Sequence, residues 1–536
     1  MKLAIVGPPG PLCTALTTHF SQAEDYHLVQ QVRAVDALLV VAGETGATLQ
    51  KEPEWNQLLQ PWVETAVPRV VMLSSAEIYP ASHRHPGMLA EREPVIRGHQ
   101  PMAKRWQIRE QALVAAFRDT PAQVVILRPV PVPLPDGQDF FSRLLRRRFF
   151  STSAGYDPSL QLLALEDLVS AVQLAMHASI EGVFNLAPAG VVPLRKALAR
   201  ARTRRLPLPW SLRGLVCRIF AAPRRHALLG LHLRIRYPWT VSGEKARLKL
   251  GFHPRYTSLD AIARLHGEQG AGEDQPNFDD FGQENSYVDF HGRGQFRFLH
   301  DLYWRVSLKG LEHVPRSGAG ILVGVHRGFM PYDGTMILHK LAREIGRYPR
   351  TLVHPSLTKP PFLSYFITRL GGLIACVENG DHVLSRQLLL SIFPEGIQGA
   401  FTPYKQAYKL QRFGRGEYVR MALRHQVPII PFITVGSAEI YPILAGIHWR
   451  WLRRITEWPF FPITPTFPLL PVPLPAKWHT QILPPIRPAD RYPPEAAEDT
   501  ALVSRLDEEI KEAMQAALDD LRKRRKWIFW GKIPGF

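Results

Sequence analysis

Short continuous apolar runs, separated by longer stretches of mixed polarity, mark the first half of the chain. "KLAIVG", "DALLVVAG", "RVVMLSSAEIYP" and "AQVVILRPVPV" are rich in β-branched residues and lack the alternation of a half-exposed strand. Such runs read as strands buried on both faces, and the helical stretches between them supply the crossovers of a parallel, doubly wound α/β sheet. The second half repeats the rhythm with "GAGILVGV", "LLLSIFPEG" and "RHQVPIIPFITVG", which predicts a further α/β domain. Near the C-terminus "ALVSRLDEEIKEAMQAALDDLRKR" has the period of an amphipathic helix. Between the halves, "HGEQGAGEDQPNFDDFGQENSYVD" is polar, acidic and Gly-rich, so it buries too little to order itself and reads as a flexible linker. The expected organisation is a domain over residues 1–265, a linker over 266–289 and a domain over 290–536.

Composition narrows the class. A chain of 536 residues with 46% hydrophobic and 21% charged residues is globular and long enough for two or three domains. The formal net charge of +19 implies attraction to an anionic partner: nucleic acid, acidic lipid or a polyanionic substrate. Cys13, Cys217 and Cys376 are widely spaced and odd in number, which supports neither a disulfide framework nor a cysteine zinc site. The opening "MKLAIVGPPG" has too short an apolar stretch for a signal peptide. No run of about 20 apolar residues free of Pro and charge predicts a spanning helix. A cytoplasmic protein, peripheral on the inner face of the cell membrane, is the expectation.

In the first half, the strand "KLAIVG" runs into "PPGPLCTALTTHF", where Gly7 and Gly10 would let a pyrophosphate approach the start of a helix. Together with "LALEDLVSAVQLAM" and "GVFNLAPAG", these segments resemble the extended short-chain dehydrogenase and epimerase family, over roughly residues 1 to 265. The resemblance implies a Rossmann-like fold and an NAD(P) cofactor held through Gly7 and Gly10. It also implies a catalytic Tyr and a Lys four residues later, preceded by a Ser such as Ser74 or Ser75. Met102 and Trp106 stand at those two places, and neither side chain relays a proton at neutral pH. Cys13 replaces the third glycine, and a β-α-β stretch with its ribose-binding acid is shortened. Glu24 and Asp25 read as solvated carboxylates rather than that acid. The expectation is a degenerate scaffold, with an NAD(P)-dependent epimerase or oxidoreductase as the alternative.

Two basic segments interleave Arg with large apolar residues. One runs from Arg195 to Arg236; the other is "RRKWIFWGK", which follows the C-terminal helix. Apolar side chains among acyl chains and guanidinium groups on lipid phosphates would suit both, so an anionic membrane surface is the expected partner. Nucleic acid ranks low, because no recognition module or zinc-finger spacing is present.

The second half carries the chemistry. After "GAGILVGV" comes "HRGFMPYD", with His326 and Asp333 separated by Gly328 and Pro331, so the pair belongs to a turn at a strand end rather than to one unbroken helix. "FPEG", residues 393–396, and then "VPIIPF" follow in order. The three motifs resemble the glycerolipid acyltransferase superfamily, over roughly residues 290 to 536. The His-x-Gly-x-x-Pro-x-Asp spacing is similar to its monoacylglycerol and diacylglycerol acyltransferase-like branch. That resemblance implies His326 as general base, Asp333 as the group orienting it, and Phe393, Pro394, Glu395 and Gly396 as acceptor-binding residues. Glu395 would either accept hydrogen bonds from a glycerol hydroxyl or fix its loop. The implied donor is acyl-CoA or acyl carrier protein and the acceptor a glycerolipid, with no metal or cofactor needed for acyl transfer. Gln398 occupies the place of an Arg that contacts acceptor phosphate in many relatives, which favours a neutral acceptor. Arg327, Lys405, Lys409, Arg412 and Arg415 read as structural or surface cations. The Pro-rich "WPFFPITPTFPLLPVPLPAKW" suits an acyl-tunnel wall, a lip in the bilayer or a packed loop. A non-catalytic lipid-binding protein is the remaining alternative.

Overall fold

A computed structural model describes residues 1–29, 31–32, 34–43, 54–91, 101–134, 136–137, 139–209, 234–268, 278–279, 281–469, 472–531 and 533. The chain forms two compact units, Met1–Gly282 and Gln283–Phe536.

In the first unit, β1 (Lys2–Val6), β2 (His27–Leu28), β3 (Ala37–Val41), β4 (Arg69–Leu73), β5 (Gln123–Pro129) and β6 (Gly182–Leu186) form one parallel sheet in the order β2-β1-β3-β4-β5-β6. Every residue of β3 and β4 is buried, as the unbroken apolar runs require. The order reverses at β1 and β3, so the sheet is doubly wound and Rossmann-like. From β2 to β3 the chain passes with no intervening helix among the described residues, which is the shortening expected from the sequence.

The second unit is built on β7 (Ser307–Lys309), β8 (Gly320–Gly324), β9 (Arg350–Val353), β10 (Gly372–Ile374), β11 (Leu389–Ile392), β12 (Ile429–Val435) and β13 (His479–Ile482). Their order is β7-β13-β12-β8-β11-β9-β10, and only β12 and β13 pair antiparallel. The fully buried β8 is the middle strand, and its neighbours β11 and β12 run parallel to it. The loops that leave the carboxyl ends of β8, β11 and β12 therefore emerge along one edge. The helix Thr500–Arg524 is capped by Asp499, whose carboxylate accepts from the amides of Ala501 and Leu502. Its buried Leu502, Leu506, Ile510, Met514, Leu518 and Leu521 form one stripe.

The linker expectation needs correction at its C-terminal end. Residues 269–277 and 280 lie outside the described residues, but Asn285–His291 is a helix. Val288 is buried, and the Arg369 guanidinium pairs with Glu284 and lies 3.6 Å from the Tyr287 ring centroid. Long-range partners that local composition does not display order this polar stretch.

Candidate functional site

The central loop starts from β8. Gly324 is the last residue of that strand, where a side chain has no room: a Cβ would stand 2.2 Å from Phe432 Cζ and 2.7 Å from Phe393 Cε1. The chain then turns through Gly328, at φ +69°, and Pro331 leads into the helix Tyr332–Ile345. The turn folds Asp333 back onto His326, with Nδ1 and Oδ2 3.0 Å apart. A carboxylate only accepts, so Nδ1 carries the hydrogen and Nε2 is the basic nitrogen. Nε2 makes no hydrogen bond among the described residues. Asp333 Oδ2 also accepts from the Arg327 amide at 3.1 Å, and its negative charge sits in the first turn of a helix. The other oxygen, Oδ1, has no hydrogen-bond partner among the described residues, and Asp333 lines a small cavity of about 10 Å³ together with His300 and Trp478.

"FPEG" leaves the neighbouring strand β11 and meets this loop. The Phe393 ring lies 5.6 Å from the His326 ring, edge toward face, and Gly396 turns at φ +58°. Glu395 is buried with both oxygens engaged: Arg327 Nη1 donates to Oε2 at 2.6 Å and Nη2 to Oε1 at 3.0 Å, while the Gln411 amide donates to Oε1. Of the two roles expected for Glu395, the geometry supports fixing the loop. Arg327 is only 2% exposed and donates further to the carbonyls of Ala407 and Lys409. Of the two readings the sequence allows for it, structural or surface cation, it is the structural one, the buried strut of the site. The sequence shows an Arg and a Glu each standing just beyond a buried run, and a charge buried there needs a counter-charge, but which one it finds depends on which strands become neighbours.

An apolar cavity of about 170 Å³ opens beside His326. Its walls include Phe329, Leu338, Leu352, Ala375, Phe393 and Trp458, and among the described residues no Lys, Arg, Asp or Glu lines it. Trp458 belongs to the Pro-rich segment, so that segment supplies part of the wall, while its Leu469 is 90% exposed. Gln398 is exposed. Among the described residues no cluster of His, Cys, Asp or Glu could hold a metal, and no helix is long and apolar enough to cross a membrane.

The first unit offers a poor fit to a dinucleotide. A pyrophosphate at a helix start is held by backbone N–H groups, and Pro8, Pro9 and Pro11 have none. A Cβ on Gly7 would stand 2.2 Å from the Val41 carbonyl oxygen, so this glycine serves the packing of the loop on β3. Gly10 is an extended N-cap whose conformation any residue adopts. Glu24 and Asp25 are exposed. Trp106, in the place of the lysine, is fully buried, and its Nε1 donates to Glu77 at 3.2 Å, while Glu77 pairs with Arg234. Met102 is buried. Ser74 donates to Glu110, which takes two hydrogen bonds from Arg128, at 2.9 and 2.7 Å. Packed and mutually satisfied side chains thus occupy the region where a proton relay would act. The basic junction lies largely outside the described residues, since 210–233 and with them Cys217 are not covered.

A family model described as acyltransferase matches residues 305–435. An uncharacterized protein of Mycobacterium tuberculosis is 35% identical over 263 residues, which span 47% of this chain and 72% of the relative. Phytyl ester synthase 2 of Arabidopsis thaliana, a chloroplast protein, is 27% identical over 144 residues, 26% of this chain and 20% of that protein. Among solved structures, UDP-glucuronic acid 4-epimerase from Bacillus cereus with NAD covers 50% of this chain and 98% of its own at 12% identity and TM-score 0.37, a likeness from which no activity follows. The chain belongs to the family of the mycobacterial relative, and it carries an acyltransferase domain over residues 305–435.

Proposed function

We propose that the second unit transfers a fatty acyl group from a thioester donor, acyl-CoA or acyl carrier protein, to the hydroxyl of a neutral lipid alcohol at a membrane face. The observation that carries this reading is the His326–Asp333 pair, 3.0 Å apart, opening on an apolar cavity with no Lys, Arg, Asp or Glu in its lining among the described residues. Asp333 holds the imidazole in the tautomer whose Nε2 accepts a proton. The acceptor hydroxyl loses its proton to Nε2 as its oxygen attacks the thioester carbonyl. The C–O bond forms, the C–S bond breaks, and the departing sulfur takes the proton back from the imidazolium. The base acts on the attacking hydroxyl itself, so no acyl-enzyme is required. The Arg327–Glu395 strut holds the two loops at a fixed separation during this sequence.

A neutral acceptor is favoured because Arg327 is spent on Glu395, Gln398 carries no charge, and the cavity offers no cation for phosphate. A long-chain alcohol of the kind named by the phytyl ester synthase relative, or a partial glyceride, fits this chemistry. The membrane face is supported by the exposed Trp449, Trp451 and Ile455 beside Arg450, Arg453 and Arg454, a mixture suited to an anionic bilayer surface. The test is transfer from radiolabelled palmitoyl-CoA to a panel of phytol, monoacylglycerol, diacylglycerol and lysophosphatidate. Transfer to neutral alcohols that falls by roughly 10²- to 10⁴-fold in His326→Ala is the expected result. Undiminished transfer in that variant removes His326 as the base, and a preference for lysophosphatidate overturns the neutral acceptor.

A further inference from the structure

Two basic motifs remain outside the acyl site: "YKQAYKLQ" after the "FPEG" loop and "RRKWIFW" after the last helix. More than a hundred residues apart in sequence, they line one open cleft of about 750 Å³. Lys405 and Lys409 face it from the first motif, Lys526 and Trp527 from the second, and Arg522 from the end of the helix Thr500–Arg524. The Gln515 side chain fastens the walls together, accepting from the Leu410 amide at 2.8 Å and donating to the Tyr408 carbonyl at 3.0 Å. Arg525 is neutralised by Glu439 at 2.7 Å. The three lysines form no ion pair among the described residues, and Asp519 is the one remaining carboxylate in the lining. Trp527 is 67% exposed at the rim.

The cleft is coupled to the acyl site through the backbone. The carbonyls of Ala407 and Lys409, in the strip that forms its wall, accept from the Arg327 guanidinium, and Arg327 is the neighbour of His326. Several exposed cations with one aromatic ring match a ligand with several phosphates and a flat base. We infer that this cleft holds the phosphorylated nucleotide end of the acyl donor, the 3′-phosphorylated adenosine diphosphate of a coenzyme A thioester. This rests on the acyltransferase reading of His326 and names its donor. Phosphate groups of lipid headgroups share the same chemistry and are the competing source.

The test measures equilibrium binding of CoA, of adenosine 3′,5′-bisphosphate and of adenosine to the full chain, alongside flotation with phosphatidylglycerol or phosphatidylcholine vesicles. The triple variant K405Q/K409Q/K526Q changes only exposed side chains, and its thermal unfolding checks that it folds. CoA and the bisphosphate are expected to bind and adenosine to bind poorly. The triple variant is expected to weaken CoA roughly tenfold and to raise the KM for acyl-CoA alike. W527A is expected to weaken the bisphosphate as well. CoA binding that is absent in the wild type, or unchanged in the triple variant, overturns the assignment. So does a loss confined to phosphatidylglycerol vesicles, which makes the cleft a lipid contact. His326→Ala is expected to bind CoA as the wild type does. Binding that survives while transfer is indifferent to His326 sinks the catalytic reading and leaves the cleft standing.

Discussion

The imidazole of His326 and the carboxylate of Asp333 meet because a left-handed glycine and a proline turn the chain between them. Asp333→Asn keeps the shape and removes the negative charge. It is expected to lower kcat by roughly 10²-fold or more with little change in thermal stability, read by steady-state kinetics beside circular dichroism. The neighbouring strut behaves differently. Glu395→Gln leaves the Arg327 charge buried without its partner and is expected to cost about 3–5 kcal/mol in denaturant unfolding. Arg327→Met with Glu395→Gln in one chain is expected to recover part of that loss, since neither residue then buries a net charge. A single variant that unfolds like the wild type would show that the pair bears no load.

At the scale of elements, the site is the product of three parallel strands ending at one edge. Gly324→Ala places a methyl against Phe432 and Phe393 and is expected to destabilise by about 1–3 kcal/mol while displacing the ring beside His326. A drop in both melting temperature and kcat is the signature to measure. The apolar cavity sets a second expectation. Ala375 lies in its wall, so Ala375→Phe is expected to shift donor preference toward shorter acyl chains, compared with palmitoyl-, decanoyl- and hexanoyl-CoA. The element pattern was legible in advance, because each run of buried β-branched residues became a strand. The start of Asn285–His291 was not, since Glu284 and Tyr287 are ordered by Arg369, which lies far along the chain.

On the scale of the whole molecule, burial pushes His339 and His479 down to about 4. Both bind protons more weakly folded than unfolded, so stability rises with pH wherever the unfolded chain is the more protonated. The window lies between the ordinary histidine value of about 6.5 and about 4. Melting temperature is expected to fall as pH drops through that range, and His339→Phe is expected to make the fall shallower. A variant curve parallel to that of the wild type would exclude this cause.

The placing of the site's loops in the fold was readable in the sequence. His326, Asp333 and the "FPEG" loop stand at the ends of apolar runs, and short-range rules of chain geometry put such turns at one edge of a parallel sheet. The reading of Met102 and Trp106, at the places where the resemblance implies a Tyr and a Lys, was equally local, since residue identity alone shows that these two side chains relay no proton. Only the tertiary structure decided that Glu395 is held by Arg327, that Trp106 is locked against Glu77, and that two distant basic motifs share one cleft. Those pairings depend on which strands become neighbours. Periodicity reports whether a residue faces a core, but the partner it finds there is set by how the chain closes on itself.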